Sequence, residues 1–473
     1  MSSVITAPTY DPTSTATALA QKSTAAAQSR IDTQTAAAAA TAKALTSLNS
    51  AISAFQTALG SLTGVGKSML AQSAAFSDTT MGSASAKASA SAGTYSMFVQ
   101  QLATAGQVSY NNLSDGAAAG GTLTVKLSDE TGASTASASF GVDLSAANAD
   151  SDGNGILSIR EVAAAINQAP DNAGRVSAGV VTIDGKMRLV LTSKNTGVAN
   201  TIALDASQVG DSTLQSGLGN RTVITAAQDA IVYFGGKSTA DGGTKIQQSS
   251  NTFTNIDGVS MTFTRAQSAT ENPFTVTVGS NQSGTVANVQ SFVNAYNTLK
   301  TALGKLVDQG DATNSVAAGA FANDAGVKAL GSRLVSLLRP SSGVSLASYG
   351  ITANRDGTLA LDSTRLTKQL DANPTGLDNL LGSSSASNPK GLSGALNTYL
   401  NQWTNSTSGQ IKQRSEANTK LQASLSTRQN DLDTKYNSAY DRYLKQFTDL
   451  QTLQSTMNSN VSMFDALFGK NDS

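Results

Sequence analysis

Apolar residues recur every three or four positions in two long stretches, one near each end of the chain. This spacing places them on one face of an α-helix. The N-terminal stripe contains Leu45, Leu48, Ile52, Phe55 and Leu59, and weaker positions in the same register begin after Ile31. The C-terminal stripe contains Tyr443, Phe447, Leu450, Leu453, Met457, Val461, Phe464 and Phe468, and no Gly or Pro interrupts residues 411–468. Both stretches are therefore predicted to be long helices with a heptad-like stripe.

The middle of the chain changes to a period of two. Segments such as "GTLTVKL", "GVVTIDGKMRLVLTS" and "PFTVTVGS" are rich in β-branched residues and predict strands. The pair Asp184-Gly185 between two apolar runs predicts a tight hairpin. A short helix is predicted in "SIREVAAAINQA", and long loops in "DLSAANADSDGNG" and "QVGDSTLQSGLGN". Helical periodicity returns at Thr285, interrupted by a second hairpin with Asp356-Gly357 at its turn.

This order of helix, β-rich middle and helix predicts a multidomain α+β protein whose two ends fold together. The terminal helices are expected to form a coiled-coil or helical-bundle leg, and the β-rich part an inserted head of two subdomains. The predicted boundaries are a flexible tail at 1–30, a leg at 31–62 plus 411–473, a helical body with a hairpin at 63–93 plus 285–410, and a head at 94–284 with an inner subdomain at about 113–221.

The C-terminal helix is too long for the core of one small domain. From Leu421 to Phe468 it would extend ~70 Å at 1.5 Å per residue, more than twice the diameter of a small domain. An ordinary internal core is the alternative for any amphipathic helix, but this length favours self-assembly. We therefore expect the two stripes to contact each other, neighbouring subunits or another protein. Tyr443 and Phe447 are expected at the junction with the body, and Met457 to Phe468 at an exposed foot.

Composition restricts the classes of function. The chain has 473 residues, 32 basic and 32 acidic residues, and neither Cys nor His. A balanced charge gives no reason to expect nucleic acid as a partner. The missing residue types exclude disulfides, thiolate nucleophiles and imidazole bases, so an enzyme is not expected. The start has no signal-peptide pattern, and no apolar run approaches the ~20 residues of a membrane span, so we expect no membrane insertion.

One motif suggests a metal ion. The segment "DSDGNGILSIRE" satisfies the calcium-loop pattern D-x-[DN]-x-[DN]-G-x-x-x-x-x-E. In that geometry the side chains of Asp150, Asp152 and Asn154 would bind calcium together with the Ile156 carbonyl, Ser158 and both carboxylate oxygens of Glu161. The alternative is an Asp- and Gly-rich turn that caps the following helix. We expect no required cofactor, with a structural calcium ion as a hypothesis for this loop.

Several segments in order resemble a known family, the bacterial flagellar filament cap proteins, also called flagellar hook-associated protein 2. The resemblance is carried by "ALTSLNSAISAFQTALGSL", "LVLTSKNTGVANTI", "SSNTFTNIDGVSMTF", "FVNAYNTLK", "YGITANRDGTLALD" and Arg442-Tyr443 followed by Gln446-Phe447. It covers most of the chain and is weakest over residues 1–30 and 113–150. The calcium-like loop departs from the family pattern.

The resemblance implies a structural cap at the distal end of the flagellar filament, where it would retain exported flagellin and promote its folding and insertion. It implies a homo-oligomer, described as a pentamer in this family, with flagellin and hook–filament junction proteins as further partners. It also implies an extracellular protein delivered by the flagellar type III export apparatus with an export chaperone. Alternatives are another axial component, such as a junction protein or a flagellin-like subunit, and a calcium-dependent surface adhesin.

Overall fold

The computed structural model describes residues 11–128, 139–339 and 345–468, and these divide into two units. One unit combines the residues before Leu70 with those after Thr285, and the other consists of Leu70–Thr285. The two ends of the chain therefore belong to one unit with the β-rich middle inserted between them. The predicted α+β class is confirmed.

The elements alternate in type along the chain as the periodicity predicts. The helices are α1 (Pro12–Thr63), α2 (Ala146–Ala149), α3 (Ile159–Gln168), α4 (Ser212–Leu218), α5 (Gln282–Val307), α6 (Ala325–Leu337), α7 (Ser363–Ala372), α8 (Gly376–Leu381), α9 (Gly391–Thr404) and α10 (Gln410–Phe468). The strands are β1 (Ala71–Phe76), β2 (Gly82–Ala86), β3 (Gly93–Gln101), β4 (Ala105–Tyr110), β5 (Ala117–Ala118), β6 (Gly121–Ser128), β7 (Ser139–Asp143), β8 (Ile156–Leu157), β9 (Val176–Ile183), β10 (Lys186–Thr196), β11 (Thr201–Val209), β12 (Arg221–Thr225), β13 (Ala230–Phe234), β14 (Thr244–Gln248), β15 (Thr252–Phe253), β16 (Val259–Phe263), β17 (Phe274–Asn281), β18 (Ile351–Ala353) and β19 (Leu359–Leu361).

Helix α1 begins nineteen residues earlier than its large apolar residues indicate. The Asp11 carboxylate accepts hydrogen bonds from the backbone N–H groups of Thr13 and Ser14, and Pro12 occupies the first helical position. The prediction of a flexible tail at 1–30 is therefore wrong from Pro12 onward, and residues 1–10 lie outside the described part. The buried residues of this segment are the small side chains of Ala16 and Ala20, which give no stripe of large apolar residues in the sequence.

Helices α1 and α10 pack against each other in antiparallel orientation. The side-chain amides of Gln28 and Gln429 exchange two hydrogen bonds of 2.9 Å, and Asn418 Nδ2 donates to the Ala38 carbonyl at 3.0 Å. Moving ten residues towards the start of α1 thus corresponds to moving eleven residues towards the end of α10. The predicted contact between the terminal helices is present in the structure.

The second half of α1 belongs to the helical body. The Phe55 ring lies 6.2 Å from the rings of Phe292 and Tyr296 on α5, measured between centroids. On α9, Asn397 and Asn401 accept hydrogen bonds from the Gln56 amide. The predicted leg segment 31–62 therefore extends too far at its C-terminal end, because α1 leaves α10 near its middle and continues into the body.

The inserted unit contains two separate cores. Sheet β1-β17-β3-β13-β14 and sheet β15-β16-β2 enclose the first core, in which Phe76 packs on Phe263 and Phe274. Sheet β12-β4-β10-β9 and sheet β11-β6-β7 enclose the second core together with α3 and α4. The expectation of two subdomains is met.

Two predicted boundaries and two predicted loops in this unit are wrong. The unit begins at Leu70 because β1 and β2 pair with β17 and β16, so residues 70–93 are not part of the body. The second core starts with β4 rather than near residue 113, because β4 lies between β10 and β12. The two predicted long loops contain α2 and α4, which are too short to show a helical period.

The start of α10 is fixed to the body by one charged side chain. The Arg414 guanidinium pairs with both carboxylate oxygens of Asp324, and it lies 5.5 Å from the centroid of the Trp403 ring. Asp324 also caps α6, since its Oδ1 accepts the Val327 N–H at 3.0 Å. The hydrogen bond from Arg414 holds the pKa of Asp324 below its usual value. One ion pair thus connects α10, α6 and α9.

Replacing Asp324 with Asn tests this connection. Asn still caps a helix, but it removes the charge that holds Arg414, so we expect a loss of about 1–2 kcal/mol in the free energy of unfolding. We also expect a red shift in the fluorescence of Trp403, the only tryptophan in the chain. Glu416→Gln is the control, because its ion pair with Lys412 is exposed to solvent and should contribute little to stability. Equal effects of the two substitutions would contradict the assignment.

Candidate functional site

The predicted contact residues on α1 are buried inside the chain itself. Leu45, Leu48, Ile52, Phe55 and Leu59 are at most 3% exposed. Phe55 packs on Phe292 and Tyr296 of α5, and side chains buried this deeply cannot contact flagellin or a second subunit. Because the α1 residues are buried, their prediction as contact residues is wrong. The prediction that they share one face of a helix is confirmed.

The C-terminal stripe is exposed, because α10 is longer than the part of α1 that accompanies it. From the pairs at Gln28 and Ala38, the first turn of α1 lies level with about residue 445 of α10, since both helices rise ~1.5 Å per residue. The remaining residues, 446–468, extend ~34 Å past the start of α1. We call this segment the overhang.

The overhang carries the apolar residues that the sequence predicts for an assembly contact. Leu450, Leu453, Met457, Val461 and Phe464 are between 40% and 58% exposed. Phe468 is the last helical residue, and its side chain lies outside the described part. The stripe is therefore available to another surface, whereas that on α1 is not.

Tyr443 and Phe447 are predicted at the junction with the body, but the structure does not place them there. Both are half-buried near the end of the α1–α10 pair, 29 and 33 residues along α10 from the ion pair at Arg414. The guanidinium of Arg442 lies 4.9 Å from the Tyr443 ring centroid. These two residues mark the boundary between the paired part of α10 and the overhang.

The spacing of apolar residues changes along α10. Within the paired part the buried residues Leu425, Leu432 and Ala439 are seven residues apart, as in a two-helix coiled coil. In the overhang two steps of four follow each other, from Leu453 to Met457 and from Met457 to Val461. Such an insertion unwinds a left-handed supercoil locally, so the overhang does not simply extend the α1 contact face.

Two exposed apolar residues of the overhang were missed. Met463 is 54% exposed and Leu467 is 66% exposed. Met463 follows Val461 by two residues and therefore starts a second row beside the stripe, which Leu467 continues four residues later. Counting all apolar side chains in residues 450–468 would have found them.

The predicted calcium loop forms a carboxylate cluster. Carboxylate oxygens of Asp150, Asp152 and Glu161 lie within 4.8 Å of one another. Asp150 accepts hydrogen bonds from the backbone N–H groups of Gly153, Asn154 and Gly155, which wraps the loop around its carboxylate.

Other features agree less well with a calcium loop. The helix that precedes the loop, α2, has only four residues. Ser158 acts as the N-cap of α3, with its hydroxyl and backbone N–H both 2.9 Å from Glu161 Oε2. Ile156 belongs to β8, which pairs with β5. The three carboxylates are thus brought together, but Ser158 and Ile156 have structural roles of their own.

Glu161 is held in its charged form by its neighbours. Its carboxylate accepts hydrogen bonds from the backbone and hydroxyl of Ser158 and of Ser151, at 2.8 to 2.9 Å. These bonds, led by the one from the Ser158 backbone, lower the pKa of Glu161 from 4.5 to about 2. A bound calcium ion would have to share this carboxylate with both serines.

In the described parts of the chain, no helix has a stretch long and apolar enough to cross a bilayer. Two family models match the sequence: the flagellar hook-associated protein 2 N-terminus over residues 9–106 and its C-terminus over residues 227–459. The chain belongs to the flagellar hook-associated protein 2 family. The residues between the two matches, 107–226, correspond to the second core of the inserted unit and contain the Asp150 loop.

Individual relatives agree with this family assignment. The lateral flagellar hook-associated protein 2 of Vibrio parahaemolyticus is 34% identical over 80% of this chain and 82% of its own length. The B-type flagellar hook-associated protein 2 of Pseudomonas aeruginosa is 31% identical over 88% of this chain and 86% of its own. The crystal structure of the Escherichia coli flagellar cap protein FliD, domains D1-D2-D3, matches with a TM-score of 0.58 and 26% identity. It covers 79% of this chain and 99% of the crystallised chain.

Leu425 and Leu453 allow the paired part of α10 to be compared with the overhang. They are four heptads apart on one helix, yet Leu425 is 2% exposed and Leu453 is 56% exposed. We expect Leu425→Ala to lower the free energy of unfolding by about 2–3 kcal/mol. Leu453→Ala should change it by less than about 0.5 kcal/mol. Denaturation of the isolated protein followed by circular dichroism measures both, and a large loss at Leu453 would contradict the exposed overhang.

Glu161→Gln tests the Asp150 loop. The folded pKa of Glu161 lies below 4.5, so its contribution to stability is present above pH 4.5 and is lost as the pH falls towards 2. We expect the variant to melt at a lower temperature than the parent at pH 7, and the difference to close near pH 2. A difference that is independent of pH would contradict the role of the charge.

The same variant serves as the control for calcium. Calorimetric titration of the full chain with calcium should release or absorb heat in the parent and not in Glu161→Gln if the loop binds the ion. The absence of heat in the parent at millimolar calcium would remove the calcium hypothesis and leave a turn that caps α3.

Proposed function

We propose that this protein caps the distal end of a bacterial flagellar filament, where it retains exported flagellin and promotes its folding and polymerisation. The observation that carries the proposal is the overhang of α10. It presents exposed apolar side chains at the far end of a long helical pair, in a chain that belongs to the hook-associated protein 2 family.

The mechanism is positional and requires no catalytic residue. A two-helix leg attached to the body through Arg414 holds the apolar overhang away from the helical body. There the overhang can make reversible apolar contacts with a neighbouring cap subunit or an incoming flagellin. The free energy for assembly comes from the apolar surface that flagellin itself buries on folding, so no nucleotide is needed.

Further partners follow from the same role. We propose a homo-oligomer, with a pentamer as the expected ring, and contact with hook–filament junction proteins before the filament grows. Export by the flagellar type III apparatus with a chaperone would deliver the chain to the outside of the cell. The balanced charge supports protein rather than nucleic acid as its partner.

No cofactor is needed for this role. A structural calcium ion at Asp150, Asp152 and Glu161 would be independent of capping, because these residues belong to the inserted unit and the overhang does not. Calcium-dependent surface adhesion through that loop would therefore be an additional property of the inserted unit.

Replacing the centre of the stripe with serine tests the proposed role. We expect Leu453→Ser, Met457→Ser and Val461→Ser together to leave the folded body intact and to abolish capping. In the source bacterium carrying only this variant, filaments should be short or missing, and flagellin in the culture medium should rise at least tenfold. Circular dichroism of the purified variant checks that the fold is retained.

Leu421→Ser is the matched control. Leu421 is 44% exposed on the same helix, but it lies in the part that packs along α1. It should support normal filaments. Normal filaments from the triple variant would refute the proposed role of the overhang.

A further inference from the structure

The outer edge of strand β9 presents backbone groups at alternate residues. Strands β9 and β10 form a hairpin whose two-residue turn has positive φ angles, 52° at Asp184 and 72° at Gly185. In such a hairpin Ile183 and Lys186 are a hydrogen-bonded pair, and the pairs alternate along the ladder. The N–H and C=O groups of Val176, Ala178, Val180 and Thr182 therefore point away from β10.

The first half of this edge is closed by two asparagine side chains. Asn172 accepts from the Val176 N–H and donates to the Val176 carbonyl, both at 2.9 Å. Asn167 makes the same two bonds with Ala178, both at 2.8 Å. Each amide replaces one residue of a neighbouring strand, which blocks strand addition at these positions.

The second half is open. Strand β9 is the last strand of its sheet, so no described strand lies beside Val180 and Thr182. The register with β10 runs from Ser193 to Lys186 without a bulge, and the edge contains no proline. The opposite edge of the sheet, β12, has a register irregularity between Val223 and Thr225, which is a common protection against strand addition.

The exposed face next to the open edge combines apolar and basic side chains. Val181 is 45% exposed and Ile183 is 42% exposed. Their cross-strand partners on the same face are Arg188 and Lys186. Neither cation forms an ion pair with any residue in the described part of the chain.

We propose that Val180–Ile183 is a docking site for an extended, acidic segment of another protein, which adds as a strand to β9. The N–H and C=O groups of Val180 and Thr182 supply four backbone hydrogen bonds, and Val181 and Ile183 supply apolar contact. The added strand would lie one strand spacing, ~4.8 Å, beyond β9, and Lys186 and Arg188 are on β10 at the other side of β9. Their long side chains can cross β9 and reach carboxylates on the added strand.

Charge disfavours two edge strands of a second copy of this chain as occupants. The other edge strands of the larger sheets include β12 with Arg221 and β14 with Lys245, and neither contains an acidic residue. Placing either strand beside β9 would bring cations towards Lys186 and Arg188. An acidic partner avoids this repulsion and neutralises both cations.

Labelled peptides test the proposal on the full chain. The probe is an end-blocked, fluorescein-labelled octapeptide of alternating glutamate and threonine, and its lysine–threonine counterpart is the control peptide. By fluorescence anisotropy at low salt, we expect the glutamate peptide to bind at least tenfold more tightly than the lysine peptide. Hydrogen exchange should show protection of residues 176–188 on binding.

Thr182→Pro removes the outward N–H without removing a hydrogen bond to β10, whereas Thr182→Val keeps it. We expect the proline variant to lose at least tenfold in affinity and the valine variant to change less than twofold. A double variant, Lys186→Gln and Arg188→Gln, should bind the glutamate peptide at least fivefold more weakly. This double variant tests the proposal if the proline variant does not fold.

Four results would overturn the proposal. These are no binding of the glutamate peptide at millimolar concentration, equal binding of the two peptides, equal binding by a folded Thr182→Pro variant, and a change in the mass of the assembly on Thr182→Pro in light scattering. The last result would assign the edge to a second copy of this chain.

Discussion

The unequal lengths of α1 and α10 determine the function proposed for this chain. Their antiparallel contact uses small residues and side-chain amides, with Asn418 bonded to the Ala38 carbonyl and Gln28 paired with Gln429. Long isolated helices of such composition are marginal in water, so each helix is stabilised mainly by packing against the other. Where α1 begins, that support ends, and α10 continues alone with its apolar residues exposed.

The opposite end of the leg has a different chemistry. There α1 contributes Phe55 to a cluster with Phe292 and Tyr296, and α10 is held by the ion pair of Arg414 with Asp324. Large aromatic side chains and a charge-assisted pair give a rigid base, whereas alanines and amides give a thin leg. We therefore expect stability to decrease along the leg towards the overhang, which suits the exchange of partners proposed for this segment.

In the inserted unit, polar side chains also satisfy exposed backbone groups. Asn167 and Asn172 replace strand residues along β9, and Ser158 and Glu161 cap α3 reciprocally. Side chains that satisfy backbone groups in this way limit unwanted pairing between copies that lie close together in an assembly. The open part of β9 lacks this protection.

The sequence alone determined the alternation of elements, the family, both hairpins and the stripe of the overhang, because periodicity and turn residues are local properties. It misplaced the start of α1, because alanine can be a buried residue only when a second helix approaches closely. It also assigned both heptad stripes to a contact surface. Only the tertiary structure distinguished the two stripes, because identical spacing buries Phe55 against α5 but leaves Leu453 exposed where α1 is absent. Exposure depends on the relative lengths of two segments that are ~400 residues apart, and no local pattern encodes that difference.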